Sequence, residues 1–422
     1  MSLYPHQVEA LEQTKNLNRV AYYYDMGLGK TYIGSEKMNQ LGSKVNLVIC
    51  QKSKIQDWID HFMDNYGFKV VVYDLTNKKQ FDEFMKNPMV YATGIINYEL
   101  AWRRKELLKL HDFTLILDES SLIQNAQAKQ TKFILKLQPK NVILLSGTPC
   151  SGKYENLWTQ AHLLGWNISE ELYNKQYVNW VRLDKDGFVH YVVDKAEPYK
   201  NVERLKRKLR EHGAVFKKTE EVIDLPEQNF ITVHVKKPQF YNKFMKHRIV
   251  TVGNEEIVGD TLLTFRLRCR QLAGMYNEDK YETFKDILQS TNDRIIVFYN
   301  FTEELDKLKA ICDCVERSYS EVNGSVKDLS AYEEKSDSVT LVQFQAGAKG
   351  LNLQKANKIV YFSPTEKCED WMQSQKRIHR IGQKNTCYYY LLVAEGTIEE
   401  DIYDALQRGV DFTDDLFLKG VK

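Results

Sequence analysis

The sequence predicts an α/β protein built of two tandem parallel-sheet lobes with a mostly helical insertion between them. Three observations predict this. The chain has 422 residues, more than the roughly 250–300 at which a single hydrophobic core stops growing, so at least two domains are expected. Short, continuous apolar runs rich in β-branched residues recur at strand length, as expected of strands covered on both faces. Helix-like segments separate these runs, and strand–helix alternation implies parallel sheets.

In the first part of the chain the strand runs are Val45–Cys50, Val70–Tyr73, Thr114–Leu117 and Val142–Leu145, with a helix expected over Ile55–Tyr66. In the last part they are Ile295–Tyr299, Val339–Phe344, Ile359–Phe362 and Tyr388–Val393, with a helix over Glu303–Cys312. Between them, from about Ser151 to Thr283, helical patterns dominate. Lys200–His212 sets Val202, Leu205 and Leu209 on one stripe, and Phe230–Val235 alternates like a short strand. The domain boundaries expected are a first lobe over 1–165, helical protrusions and a basic linker over 166–283, a second lobe over 284–400, and a brace helix with an acidic tail over 401–422.

Composition narrows the class. Apolar residues make up 43% and charged residues 27%, which excludes a disordered tail or a fibre. No apolar run approaches the roughly 20 residues of a membrane helix. The opening Met1–Gln7 has neither a basic nor an apolar signal region, so a cytoplasmic protein is expected. The seven cysteines include no C-x-x-C pair and fit small buried hydrophobes in a reducing compartment. Net charge is +2, but 195–248 carries a local +7 and the remainder −5. A polyanion partner held at one place and a solvated helix face both explain that basic region.

Two motifs carry chemistry. Asp25-Met26-Gly27-Leu28-Gly29-Lys30-Thr31 precedes a helical segment. Gly27 and Gly29 let backbone N–H groups approach phosphates, Lys30 reaches the β/γ-phosphates, and the Thr31 hydroxyl suits Mg²⁺. The first glycine of the general phosphate-loop pattern is Tyr24 here. Thr114–Leu117 then runs into Asp118 and Glu119. In an open α/β sheet chemistry sits at the carboxyl ends of strands. Asp118 is placed to hold Mg²⁺, and Glu119 to orient and deprotonate an attacking water.

With these motifs in hand the chain resembles the Swi/Snf family of helicase superfamily two, ATP-driven DNA translocases. Leu3–Gln7 resembles the opening adenine-reading motif, and Asp25–Thr31 resembles D-E-M-G-L-G-K-T with the Glu deleted. Leu47–Trp58 and Ile96–Glu99 are similar to the next two motifs. Asp118–Ser121 resembles the D-E-x-H box, with Ser121 in place of the histidine. Ser146–Pro149 matches S/T-G-T-P and is followed by Asn156-Leu157-Trp158. Phe216–Thr219 and Leu225-Pro226 resemble the step between lobes. Gly347–Leu353 resembles A-G-x-G-x-N-L, and Gln373–Gln383 ends in H-R-I-G-Q. The tryptophan of the W-N-P step is Glu366, with Trp371 nearby.

The resemblance implies two RecA-like lobes sandwiching ATP with Mg²⁺, the cofactor-binding set being Gln7, Gly27, Gly29, Lys30, Thr31 and Gly350. The catalytic set is Lys30, Asp118, Glu119, Arg377 and Arg380, the arginines acting on developing γ-phosphate charge. Thr31 and Asp118 are the metal-holding pair. Lys52, Ser53, Thr148 and Asn352 are implied contacts to the DNA backbone. In the basic middle, Lys206, Arg207, Lys208 and Arg210 could touch phosphates, or could be the solvated side of a helix.

The function expected is an ATP-hydrolysing monomer translocating on double-stranded DNA, with replication or recombination proteins as targeting partners. The absence of appended modules favours a bacterial or phage setting, and the 25 tyrosines hint at an AT-rich genome. No aromatic hairpin is evident that would act as a strand-splitting wedge. The alternatives are a strand-separating helicase, an RNA-polymerase remodeller, and a non-catalytic nucleic-acid scaffold.

Overall fold

Continuous apolar strands form where both faces of a sheet are covered, and the chain makes two such sheets. The computed structural model describes residues 3–25, 27–86, 91–150, 153–185, 188–194, 196–222, 224–347 and 351–409. It divides into two bodies, Met1–Val222 and Ile223–Lys422.

The first body contains β1 (Arg19–Tyr24), β2 (Val45–Cys50), β3 (Val71–Asp74), β4 (Ala92–Asn97), β5 (Thr114–Asp118), β6 (Asn141–Ser146), β7 (Trp180–Lys185), β8 (Phe188–Val193) and β9 (Ala214–Lys217). Seven of these form one sheet in the order β3-β4-β2-β5-β6-β1-β9. Every pairing in it is parallel. The second body contains β10 (Gln228–Val235), β11 (Ile249–Val252), β12 (Glu255–Val258), β13 (Ile295–Tyr299), β14 (Tyr319–Val322), β15 (Lys327–Asp328), β16 (Val339–Gln343), β17 (Lys358–Tyr361) and β18 (Cys387–Ala394). Its sheet runs β10-β18-β17-β13-β16-β14-β15, parallel except for β14 with β15.

Burial explains the unbroken runs. On β13, Ile296 and Phe298 join the core on one face, while Ile295, Val297 and Tyr299 join the core on the other. Alternate side chains point to opposite faces, so a strand covered on both sides needs apolar residues throughout. Each such side chain contributes roughly 1.5–3 kcal/mol by leaving water. The cysteines follow suit: all seven are free thiols and six are buried.

The middle differs from expectation in two ways. First, 166–283 is not a body of its own. β9 pairs with β1 (Ala21↔Ala214) and β10 with β18 (Phe230↔Tyr389). Both are edge strands, so half their surface is open and their sequences lack the continuous apolar signature. Second, the region is not mainly helical. It holds two antiparallel hairpins, β7–β8 and β11–β12. The β7–β8 ribbon leaves Trp180, Val181, Leu183, Val189 and Tyr191 exposed, so an aromatic hairpin does exist. Some of its pairs join apolar to polar residues, as in Leu183↔His190 and Asp184↔Val189, while Trp180↔Val193 and Val181↔Val192 join two apolar residues.

Helix expectations fared well. The helix Ile55–Tyr66 has its expected bounds, and Val202–Glu211 buries Leu205 and Leu209 as the stripe required. The brace helix spans Ile398–Gln407. The tail over 410–422 lies outside the described residues. No helix among the described residues is long and apolar enough to cross a membrane.

Candidate nucleotide site and nucleic-acid contacts

β1 delivers the chain into the loop Asp25–Gly29, and the helix Lys30–Leu41 begins at its end. Met26 lies outside the described residues. Gly27 and Gly29 have φ of 90° and 73°, a region open mainly to glycine. A Cβ on Gly29 would fall 2.3 Å from Gln7 Nε2. Gly29 at the N-cap has no side chain to bond the first-turn N–H groups. Such an N-terminus favours an anion. Lys30 Nζ donates to the Tyr24 and Asp25 carbonyls at 3.0 and 3.4 Å, and Thr31 follows in the first helical turn.

Gln7 holds this loop from outside. It is buried, with Nε2 donating to the Leu28 and Gly29 carbonyls at 3.1 Å each and Oε1 accepting from Tyr4 N at 2.8 Å. His6 Nε2 lies 3.1 Å from Leu28 O, and its ring stacks on Tyr4. The amide expected to read adenine is thus tied to the phosphate loop itself.

At the end of β5, Asp118 Oδ2 accepts from Trp58 Nε1 at 2.9 Å, and its carbonyl accepts from Tyr98 OH at 2.9 Å. Burial and the neighbouring Glu119 push the Asp118 carboxyl up to about 6, against the opposing effects of Trp58 and Lys30. Glu119 has φ 52°, left-handed for a non-glycine residue, and backbone strain of this kind clusters at functional sites. Its Oε2 is buried with no hydrogen-bond partner. A buried carboxylate oxygen without a donor is costly, unless a water or ligand arrives to supply one. Trp58, noted in the sequence only as an apolar residue, proves to orient Asp118.

These residues fit a nucleotide with its magnesium ion. The glycine loop and bare helix end suit the phosphates, Thr31 and Asp118 would hold the ion, and the orphan Glu119 oxygen faces water chemistry. The turn after β6 is closed by Thr148 N donating to Ser146 Oγ at 3.2 Å. Lys52 and Ser53 are exposed in a short turn at the carboxyl end of β2. The Thr148 Oγ1 is buried without a partner.

The basic helix carries ion pairs of its own. Lys206 pairs with Glu203 at 2.8 Å, Lys208 and Arg207 with Glu211 at 2.6 and 3.8 Å, and Arg210 lies over the Phe216 ring. Glu203 and Glu211 thus pair with three of the five Lys and Arg residues of Val202–Glu211, and the helix keeps a net positive charge.

In the second body Arg377 and Arg380 part company. Arg377 is 3% exposed; Nη1 donates to Leu351 O at 3.0 Å, and its carbonyl accepts from Leu353 N. It braces the 351–353 loop rather than presenting a free guanidinium. Burial of this kind is not legible in the spacing of two arginines. Arg380 instead is half-buried and donates to Asn352 Oδ1, so two residues assigned to different tasks meet. Gly350 lies outside the described residues. The ends of H-R-I-G-Q are structural: His379 Nε2 contacts Pro226 O at 2.8 Å and Gln383 Nε2 donates to Ala356 O at 2.7 Å. Trp371 packs 4.4 Å from the Tyr361 ring, while Glu366 pairs with Arg266 and Arg270.

Two parallel α/β bodies, the first bearing a phosphate loop and a strand-end carboxylate pair, have the features of a P-loop nucleotide-binding core. Residues 21–278 match the SNF2-related domain, and residues 279–382 match the helicase conserved C-terminal domain. The chain belongs to the SNF2-related family. It is 23% identical to nuclear protein STH1/NPS1 of Saccharomyces cerevisiae, over 92% of this chain and 32% of that protein. It is 22% identical to the DNA repair and recombination protein RAD54B of Gallus gallus, over 85% and 46%. It is 23% identical to the putative ATP-dependent helicase/translocase YwqA of Bacillus subtilis, over 90% and 44%. The chain therefore spans between about a third and just under a half of these relatives. Among solved structures, the Sulfolobus solfataricus SWI2/SNF2 ATPase core in complex with dsDNA is 18% identical. That comparison has a TM-score of 0.47 and covers 99% of this chain and 92% of that one.

Proposed function

We propose that the chain is a DNA-dependent ATPase that moves along double-stranded DNA and remodels protein–DNA or DNA structures without processive strand separation. The observation that carries the ATPase reading is Glu119. Its Oε2 is buried and unpartnered beside Asp118, the condition of a general base awaiting the water it deprotonates. Lys30 and the bare helix end hold the phosphates. Thr31 and Asp118 hold the magnesium ion, which when bound offsets phosphate charge. Arg380 supplies positive charge as charge develops on the transferred phosphoryl group. Lys52, Ser53, Thr148 and Asn352 are the proposed backbone contacts, since tracking a duplex needs phosphate contacts and no base code.

The names of the relatives support a DNA substrate, and the SNF2 membership supports movement on duplex. The exposed β7–β8 ribbon favours the second reading, a strand-separating helicase. The residues between its strands are Asp186-Gly187, and Phe188 follows directly at the start of β8. Glu119→Gln should bind ATP and hydrolyse it about 10²–10⁴-fold more slowly. Near-normal turnover removes Glu119 from its role. ATP should drive a third strand off a triplex while a forked duplex stays annealed. Fork unwinding without triplex displacement would establish the helicase reading.

A further inference from the structure

One buried amide joins three segments of the first body. Gln160 lies on the helix Trp158–Leu163 and is fully buried. Its Oε1 accepts from Ser120 Oγ at 2.7 Å and from Tyr23 OH at 3.1 Å. Its Nε2 donates to the Pro149 carbonyl at 2.6 Å. A carbonyl cannot donate, so the amide must face Pro149 with its nitrogen, and its orientation is determined.

Each partner has a place in the site. Ser120 follows the general base Glu119. Pro149 closes the Ser146–Pro149 turn that carries Thr148. Tyr23 lies on β1, just before the phosphate loop. Ser120 and Ser121 are both buried, yet the side-chain bond from this turn to Gln160 is made by Ser120, not Ser121. Gln124 adds a longer hydrogen bond to Pro149 O at 3.4 Å, and Thr159 Oγ1 donates to Ile123 O at 2.7 Å. The helix bearing Gln160 is thus seated on the carboxylate turn. If either the carboxylate turn or the 146–149 turn shifts alone, a buried hydrogen bond at Gln160 is broken.

We infer that Gln160 is a positioning residue that links the state of the carboxylate turn to that of the Ser146–Pro149 turn, and so transmits DNA binding to ATP hydrolysis. This rests on the DNA-dependent ATPase reading above. The test is steady-state ATPase, with and without duplex DNA, on the full chain and on Gln160→Met, Ser120→Ala and the double variant. Methionine keeps the length and volume of glutamine and removes its hydrogen bonds.

The expected result is a split. KM for ATP without DNA stays within about twofold, while the stimulation of kcat by DNA falls about tenfold or more. The two changes break one connection, so the double variant loses no more than the worse single. Ser120→Ala removes one hydroxyl and serves if Gln160→Met fails to fold. Undiminished stimulation in Ser120→Ala and Gln160→Met, or fully additive losses, overturns the inference. If the unaltered chain shows no DNA stimulation, the DNA-dependent reading itself falls, and that result is seen before any variant is compared.

Discussion

Two strand-to-helix turns, one in each body, show why only one of them suits phosphate. In the first body β1 leads through Gly27 and Gly29 into Lys30–Leu41, and no side chain caps that helix. In the second, β13 leads through Asn300 and Phe301 into Thr302–Cys314. There Glu304 turns back, and its Oε2 accepts from Asn300 N at 3.0 Å, Phe301 N at 3.1 Å and Ser363 Oγ at 2.9 Å. A carboxylate at a helix N-terminus satisfies orphan N–H groups and favours the dipole. The second turn is thereby filled by the protein's own carboxyl group, whereas the first carries glycine, which brings no side chain of its own to that helix end. The same topology thus gives a ligand site or a closed structural joint, according to whether glycine or a reaching carboxylate stands at the turn.

The sharpest test of this contrast compares the cation of each body. Lys30→Ala and Arg380→Ala should each lower DNA-stimulated turnover by about 10³-fold or more. They should differ in nucleotide affinity, which falls for Lys30→Ala and persists for Arg380→Ala, because an arginine acting on developing charge contributes little to the ground state. Equilibrium ATP binding measured beside turnover separates them. Equal loss of binding would show that both cations act on the ground state.

The filled turn predicts a stability effect with no nucleotide effect. Glu304→Ala removes the acceptor for two backbone donors and should lower stability by about 2 kcal/mol. ATP affinity should be unchanged. Denaturant titration with ATP binding on the same sample checks both, and a variant with full stability would show the cap to be idle.

A smaller effect is specific to the first body. His61 is packed among Tyr32, Trp58, Phe62 and Tyr66, with Nε2 2.8 Å from Ser35 Oγ. Burial lowers its pKa from 6.5 to about 4. Between those values the unfolded chain takes up a proton that the folded chain refuses. The stability is therefore present above about 6.5 and lost as pH falls toward 4. Melting temperatures across that range should fall less steeply in His61→Asn than in the unaltered chain. Parallel slopes would refute the assignment.

The smallest effect is expected at the basic helix. Removing a cation that neutralises one phosphate should reduce the log–log salt slope of duplex binding by about 0.9. Because Lys206, Arg207 and Lys208 pair with Glu203 and Glu211, neutralising them together with Arg210 should change the slope by less than the share of a single such cation. A drop of several units in the slope would establish the helix as a DNA surface.

Periodicity and glycine placement alone located most of the parallel strands, though not β1, β4 or β14, together with the phosphate loop and the carboxylate pair. These features are local. A doubly covered strand must be apolar at every position, a left-handed turn calls for glycine, and a strand end displays the residues that follow it. What lay out of reach depended on partners distant in sequence. β9 was not foreseen, and β10 was foreseen as a strand over 230–235 but without its place in a sheet; both are edge strands whose neighbours lie 193 and 159 residues away in the pairs Ala21↔Ala214 and Phe230↔Tyr389. The division of the two arginines, the hold of Trp58 on Asp118 across 60 residues, and the amide of Gln160 beneath three segments were likewise decided only by tertiary structure. A side chain's type sets what it can donate or accept, but burial and the direction of its neighbours determine which of those bonds it makes.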